Sequence, residues 1–186
     1  MKGLLVTLLI GSLTHAFSQG TIEFQNVDVN VPVFESDGVT RLSGPQFLAQ
    51  LFSGPDATKL AAIATTIFLT GRGAGYFAYG AVAVNSVPYT QTAWVQVDVW
   101  NAASGASFAQ AQASGLPNSW WQSPVFGVLT GDPLPPPTLP GALIGLGNGP
   151  VFLNSVPEPS TFALACLGAA ALLCVHRCQR RDTRTN

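Results

Sequence analysis

The chain has 186 residues, of which only 9% are charged and 47% are hydrophobic, and its formal net charge at pH 7 is −1. This length allows one domain of ordinary size once the two ends are set aside. The 19 glycines and 14 prolines argue against a soluble helical bundle, because both residues interrupt helices. Between residues 19 and 155 seven acids outnumber three bases, which excludes a basic patch for nucleic acid binding.

The first 18 residues have the three parts of a secretory signal peptide. Lys2 supplies a positive charge, residues 3–11 form an apolar segment, and Ala16 and Ser18 are small residues at the two positions that a signal peptidase reads. We therefore expect export, with cleavage before Gln19.

The body, residues 19–155, is predicted to be all-β. Its segments alternate polar and apolar residues between turns rich in glycine and proline, at a spacing of about ten to fifteen residues. The predicted strands cover 21–25, 31–35, 46–52, 63–69, 76–84, 93–100, 120–130 and 150–154, with a turn at 85–88. A parallel sheet would need a helix in each crossover, and only residues 107–114 suggest a helix. We expect an antiparallel β-sandwich of jelly-roll or immunoglobulin-like type.

Residues 93–100 give the clearest strand pattern. The odd-numbered valines share one face, which we expect to lie in the core, and the even-numbered residues share the other. Exposed aromatic rings can stack on sugars, so one alternative for the body is a carbohydrate-binding surface module. Burial of the same rings is the competing interpretation. The candidate glycan platform comprises Trp94, Trp100, Trp120 and Trp121.

The body offers few groups for catalysis. Both histidines, His15 and His176, and all three cysteines lie in the terminal segments, which removes the common metal ligands and nucleophiles. Asp28, Glu35 and Asp37 could bind calcium, but they lack the spacing of a known calcium motif and are better explained as solvated turn residues. A small glycan hydrolase that uses two of the scattered acids is a second alternative. We expect no cofactor and no enzymatic activity.

The C-terminal segment begins with a proline-flanked acidic motif at 156–161. The prolines keep this motif extended, so a helix begins only after it. The motif consists of Val156, Pro157, Glu158, Pro159, Ser160 and Thr161.

An apolar run follows the motif and predicts a transmembrane helix over 162–176. Its 14 uncharged residues, 162–175, span about 21 Å, against a hydrocarbon core of roughly 30 Å, so a buried helix is the alternative. The run is apolar on all sides and is followed by a basic tail, 177–186, which favours a membrane span with its C-terminus in the cytoplasm. The predicted stop-transfer residues are Arg177, Arg180 and Arg181.

Together these three parts resemble a PEP-CTERM sorting signal, the tail of exported proteins in Gram-negative bacteria that make extracellular polysaccharide. The resemblance implies recognition of Pro157-Glu158-Pro159 by an exosortase, a membrane-embedded transpeptidase-like enzyme that removes the tail. The body would then pass from an inner-membrane-anchored precursor to the cell envelope or the extracellular matrix. The implied partners are the membrane, the exosortase-like enzyme and exopolysaccharide. A plain membrane anchor with a proline-rich stalk is the alternative.

Overall fold

The computed structural model describes residues 19–147 and 149–154, and strands dominate this part of the chain. It contains one α-helix, α1, and nine strands, and short 3₁₀ helices at Gly71–Gly73 and Ile144–Leu146. The prediction of an all-β body is confirmed. In chain order the elements are β1 (Gln19–Gln25), β2 (Val33–Phe34), β3 (Gly44–Gly54), β4 (Ala61–Phe68), β5 (Ala78–Pro88), β6 (Thr92–Asn101), α1 (Phe108–Ala113), β7 (Trp120–Gln122), β8 (Phe126–Leu129) and β9 (Val151–Phe152).

The largest sheet is antiparallel and has the strand order β4-β3-β6-β7, with β8 also paired to β6. β7 and β8 lie one after the other along the same edge of β6. Ser123 fills the gap between them, since its N–H donates to the carbonyl of Val97 and its Oγ accepts from the N–H of Val97, each at 2.9 Å. The side chain of Ser123 thus replaces a backbone acceptor beside Pro124.

A second sheet pairs β1 with β5 in antiparallel fashion. The other edge of β1 is covered by a loop, because the N–H of Thr21 donates to Gly131 at 3.0 Å and the N–H of Glu23 donates to Gly141 at 2.9 Å. Glycine is required at 141, where a Cβ would lie only 2.2 Å from the carbonyl oxygen of Leu129. The loop therefore protects this edge by close backbone contact.

Three features differ from the sequence-based prediction. The strand predicted over 120–130 is divided into β7 and β8, because Ser123 and Pro124 interrupt it. β2 and β9 pair in parallel, with Val33 opposite Val151, so the strands are not all antiparallel. This pair needs no helical crossover because the rest of the described body forms the connection between its strands. The turn predicted at 85–88 is also displaced: β5 continues to Pro88, and the chain reverses only after it.

The two larger sheets contribute to one hydrophobic core. Ile22 and Phe24 on β1 are fully buried, and so are Val95, Val97 and Val99 on β6. The predicted burial of the valine face is thus confirmed. Each strand presents alternate side chains to one face, and these faces meet in the core.

A buried amide closes one end of this core. Asn26 has no exposed surface, and its Oδ1 accepts the N–H of Phe77 at 2.7 Å. Its Nδ2 donates to the carbonyls of Val31 at 2.7 Å and Gly75 at 3.2 Å. One side chain therefore joins three backbone segments, and burial without water makes each of these bonds costly to remove.

Candidate functional site

The four tryptophans of the predicted glycan platform do not share one exposed surface. On β6, Trp94 is 37% exposed but Trp100 is only 4% exposed, and their Cα atoms are about 20 Å apart along the strand. Trp120 lies opposite Trp100 and packs edge-on against Phe108 of α1, with ring centroids 5.8 Å apart. Trp121 points to the other face and packs against the core. Trp120 and Trp121 are half-buried, so Trp94 is the most exposed of the four rings.

A surface hollow with a volume of about 560 Å³ lies at the turn between β5 and β6. It is lined by Pro55 and by residues 86–92, which carry hydroxyl groups, an amide, the ring of Tyr89 and no charged side chain. Thr92 and Trp94 are two residues apart on β6 and therefore project from the same face of the strand. The turn thus places an uncharged hollow near an exposed indole ring.

Thr130 holds this turn in shape. The N–H of Thr90, a residue with a φ of 56°, donates to the carbonyl of Thr130 at 3.0 Å. The Oγ1 of Thr130 lies 2.9 Å from the carbonyl of Pro88 and 3.0 Å from that of Gln91. Sequence analysis missed this arrangement because the Thr130 contact spans about 40 residues and leaves no local pattern.

The three acids considered as calcium ligands have separate hydrogen-bond partners. The carboxylate of Asp37 accepts the N–H of Thr40 at 2.8 Å, and the hydroxyl of the same threonine donates to it and lowers the pKa of Asp37. Glu35 accepts from the Nδ2 of Asn118 at 3.2 Å, and Asp28 accepts from a neighbouring amide. Within the described ranges, no group of three or more histidine, cysteine or acidic side chains is placed to hold a metal ion.

Asp98 is a buried carboxyl on the largest sheet. It is 3% exposed, and burial raises its pKa, while a 2.9 Å hydrogen bond from the Nε2 of Gln122 acts in the opposite direction. Gln50 lies opposite Asp98 on β3. A glycan hydrolase needs two carboxyls that reach the substrate, whereas Asp98 is enclosed and its strand neighbours are amides.

The described body ends in a clamp formed by Asn154. Its Oδ1 accepts the N–H groups of Ser119 and Trp120, each at 2.9 Å, and its Nδ2 donates to the carbonyl of Leu116 at 2.8 Å. β9 immediately precedes this clamp and pairs with β2. The body is therefore held in place up to its last described residue.

The residues that follow the clamp decide what the body is attached to. Residues 155–181 match the family model of the PEP-CTERM protein-sorting motif. The chain carries a PEP-CTERM sorting signal. No curated protein and no solved structure matches the chain. The recognition of the tail from its sequence is thus confirmed.

The PEP-CTERM signal indicates export, through a membrane-anchored precursor, to the cell envelope or the extracellular space. It also implies processing by exosortase-type machinery, and the predicted signal peptide is consistent with both. Four predicted features lie outside the described residues. They are the signal peptide with Ala16 and Ser18, the motif at 156–161, the helix at 162–176 and the basic tail. Residues 19–147 and 149–154 contain no helix with the length and apolar character needed to cross a membrane.

Proposed function

We propose that this PEP-CTERM protein is a non-catalytic component of the cell envelope or the extracellular matrix. An exosortase-type enzyme releases its body from the membrane-anchored precursor at Pro157-Glu158-Pro159. The observation that carries the proposal is the match to the sorting motif, which begins at residue 155, directly after the Asn154 clamp. A cut within the motif leaves every contact of the clamp in place.

The body supports a role based on structure rather than catalysis. We infer that its two larger sheets pack as a β-sandwich, since both supply alternate side chains to one core. Residues 19–154 contain no histidine and no cysteine. Asp28, Glu35 and Asp37, for which the sequence favours a role as turn residues over calcium binding, are hydrogen-bonded to separate partners. These features favour a stable domain that acts through its surface.

The test is the intact mass of the protein recovered from the envelope and the medium of its native host. We expect the mass of the wild-type protein to correspond to a chain that ends within 157–160. The mass of a Glu158→Gln variant should correspond to a chain that continues to Asn186. A Glu23→Gln variant, which makes the same change on β1 and outside the matched residues 155–181, is the control and is processed like the wild type. A wild-type protein that keeps its whole tail would instead make the segment a plain anchor and refute the release step.

Carbohydrate binding is a second candidate function, favoured by the hollow at the β5–β6 turn. Sugars are recognised by hydroxyl and amide groups beside an aromatic ring, and the lining combines these groups around Tyr89 with Trp94 nearby. Binding of the host exopolysaccharide is measured by affinity electrophoresis. Tyr89→Ala and Trp94→Ala weaken it, whereas Tyr79→Ala, which removes a 56% exposed ring from the far end of β5, does not. Equal effects of all three changes would argue against this site.

A further inference from the structure

The edges of the sheets are protected unequally. Loop residues hydrogen-bond to the outer edge of β1, and the N–H of Asn154 donates to the carbonyl of Trp120 at the edge of the largest sheet. β4 forms the opposite edge of that sheet. Its last residue, Phe68, also bridges to Phe77, and β3 is the one strand paired with the rest of β4. In the part of the chain that the structure describes, residues 61–67 make no backbone hydrogen bond along their outer side.

The sequence of β4 lacks the charged residues and prolines that would prevent another strand from pairing with it. Natural edge strands avoid such pairing with lysine, proline, inward charges or strong bulges. β4 has the sequence Ala-Ala-Ile-Ala-Thr-Thr-Ile-Phe, and from residue 60 to residue 97 the only charged side chain is Arg72. Its pairing with β3 has two register shifts, one between Ala62 and Ala64 and one between Ile67 and Phe68, which leaves 64–67 in regular pairing. Ile67 is also 48% exposed.

We propose that β4 pairs edge to edge, in antiparallel fashion, with β4 of a second copy of this chain. A two-fold axis perpendicular to the sheet at Thr65 keeps the core-facing and outward-facing sides of both copies aligned. It places Thr65 opposite its own copy and Ala64 opposite Thr66. These side chains are small and neutral, so the open donors and acceptors of the two strands meet without like charges or bulky groups.

A second copy is the occupant that β4 fits best. The copy offers the same open row of N–H and carbonyl groups, and the strand carries no charge that would select an oppositely charged partner. The Nε2 of Gln50 donates to Thr65 at 3.0 Å and helps hold β4 in register with β3. The contact joins the largest sheets of two bodies into one. This inference extends the proposed function, because it names the partner that a released body meets outside the cell.

The experiment uses the full chain in a mild nonionic detergent, with its mass measured by light scattering after subtraction of the detergent. We expect a dimer for the wild type. Thr65→Lys and Thr65→Glu each place like charges across the two-fold axis and raise the dissociation constant at least about tenfold. An equal mixture of the two variants restores the dimer at low salt, because opposite charges then face each other. Circular dichroism checks that each variant is folded.

Thr92→Lys is the matched control. Thr92 is an exposed threonine on β6, paired with Leu129 of β8, so the same new charge lies on a strand that is already covered. This variant stays dimeric. If the changes at Thr65 unfold the body, Ile67→Lys is the second variant. It places a charge at the next outward-facing position of β4, opposite Ile63 of the copy, and should also weaken the dimer.

Two results would overturn the pairing. One is a wild-type protein that is monomeric at every concentration up to its solubility limit. The other is a dimer that persists in folded variants of Thr65, which would assign the contact to the tail or to another surface. Either result leaves the proposed function standing, provided that the tail is still cut within 157–160 in the native host.

Discussion

Asn154 and Trp120 are joined by two hydrogen bonds that run in opposite directions. The N–H of Trp120 donates to the Oδ1 of Asn154, and the N–H of Asn154 donates to the carbonyl of Trp120, each at 2.9 Å. The first bond depends on the side chain and the second does not. The end of the body is therefore fastened to the first residue of β7, two residues before the motif at 156–161.

Replacing Asn154 by alanine should loosen this end of the body. The change removes the acceptor of two backbone N–H groups, at Ser119 and Trp120, and should lower the free energy of unfolding by about 2 kcal/mol. Chemical denaturation of the full chain measures the effect. Asn101→Ala is the control, because the side chain of Asn101 makes a single exposed bond to Ala103 and should cost well under half as much. If Asn154→Ala lowers the unfolding free energy no more than Asn101→Ala does, the clamp contributes little to stability.

Asn26→Ala should be among the more damaging single changes in the core. It leaves the N–H of Phe77 and the carbonyls of Val31 and Gly75 without their side-chain partner in a site closed to water. We expect a loss of about 3 kcal/mol in unfolding free energy. Asn26→Asp should be no better at neutral pH, since it sets a carboxylate oxygen against two carbonyls.

Thermal unfolding of both variants checks this expectation. Gln25→Ala, at the preceding and partly exposed position, should change the melting temperature only slightly. A small effect of Asn26→Ala would show that water or a backbone shift can satisfy the three groups.

Ser123→Ala tests the side-chain hydrogen bond to β6 in the gap between β7 and β8. The change deprives the buried N–H of Val97 of the 2.9 Å bond to Oγ and should cost about 2 kcal/mol. Ser53→Ala is a close control, because Ser53 is also buried but its Oγ has no partner. That change should be neutral or stabilising, since it removes an unsatisfied polar atom. Urea denaturation of the two variants at one pH compares them directly, and similar losses would contradict the assigned role of Ser123.

Asp98→Asn should stabilise the body at neutral pH. Because burial raises the pKa of Asp98 in the folded state, the wild type loses stability as pH rises from the unfolded pKa, about 3.9, through the folded one. Asparagine is never charged and keeps the acceptor for Gln122. The melting temperature of the variant should therefore exceed that of the wild type at pH 7, and the difference should disappear below about pH 4.

Asp37→Asn should have the opposite effect on stability at neutral pH. The hydroxyl and N–H of Thr40 lower the pKa of Asp37, so its carboxylate stabilises the fold above the unfolded pKa, and this contribution is lost as pH falls through the folded one. The variant should thus be the less stable protein at pH 7 and approach the wild type in acid. Parallel pH profiles for the two variants would contradict both assignments.

Local order along the chain was enough to predict the sorting tail, the export signal and the strand pattern. Pro157, Glu158 and Pro159 need only their neighbours to form a recognisable motif, and the match to the PEP-CTERM model confirms it. The valine face of β6 follows from period-two alternation, which is a property of eight consecutive residues. These features depend on covalent sequence alone, so no tertiary information was required.

Only the tertiary structure decided which strands meet and which side chains are covered. The parallel pairing of β2 with β9 joins residues more than 100 positions apart, and nothing local distinguishes it from an antiparallel one. Trp94 and Trp100 both belong to the even-numbered face of β6, yet only Trp100 is buried. The roles of Asn26 and Asn154 likewise come from backbone groups brought to them by distant segments. Alternation determines the face on which a side chain lies, whereas long-range packing determines what that face meets.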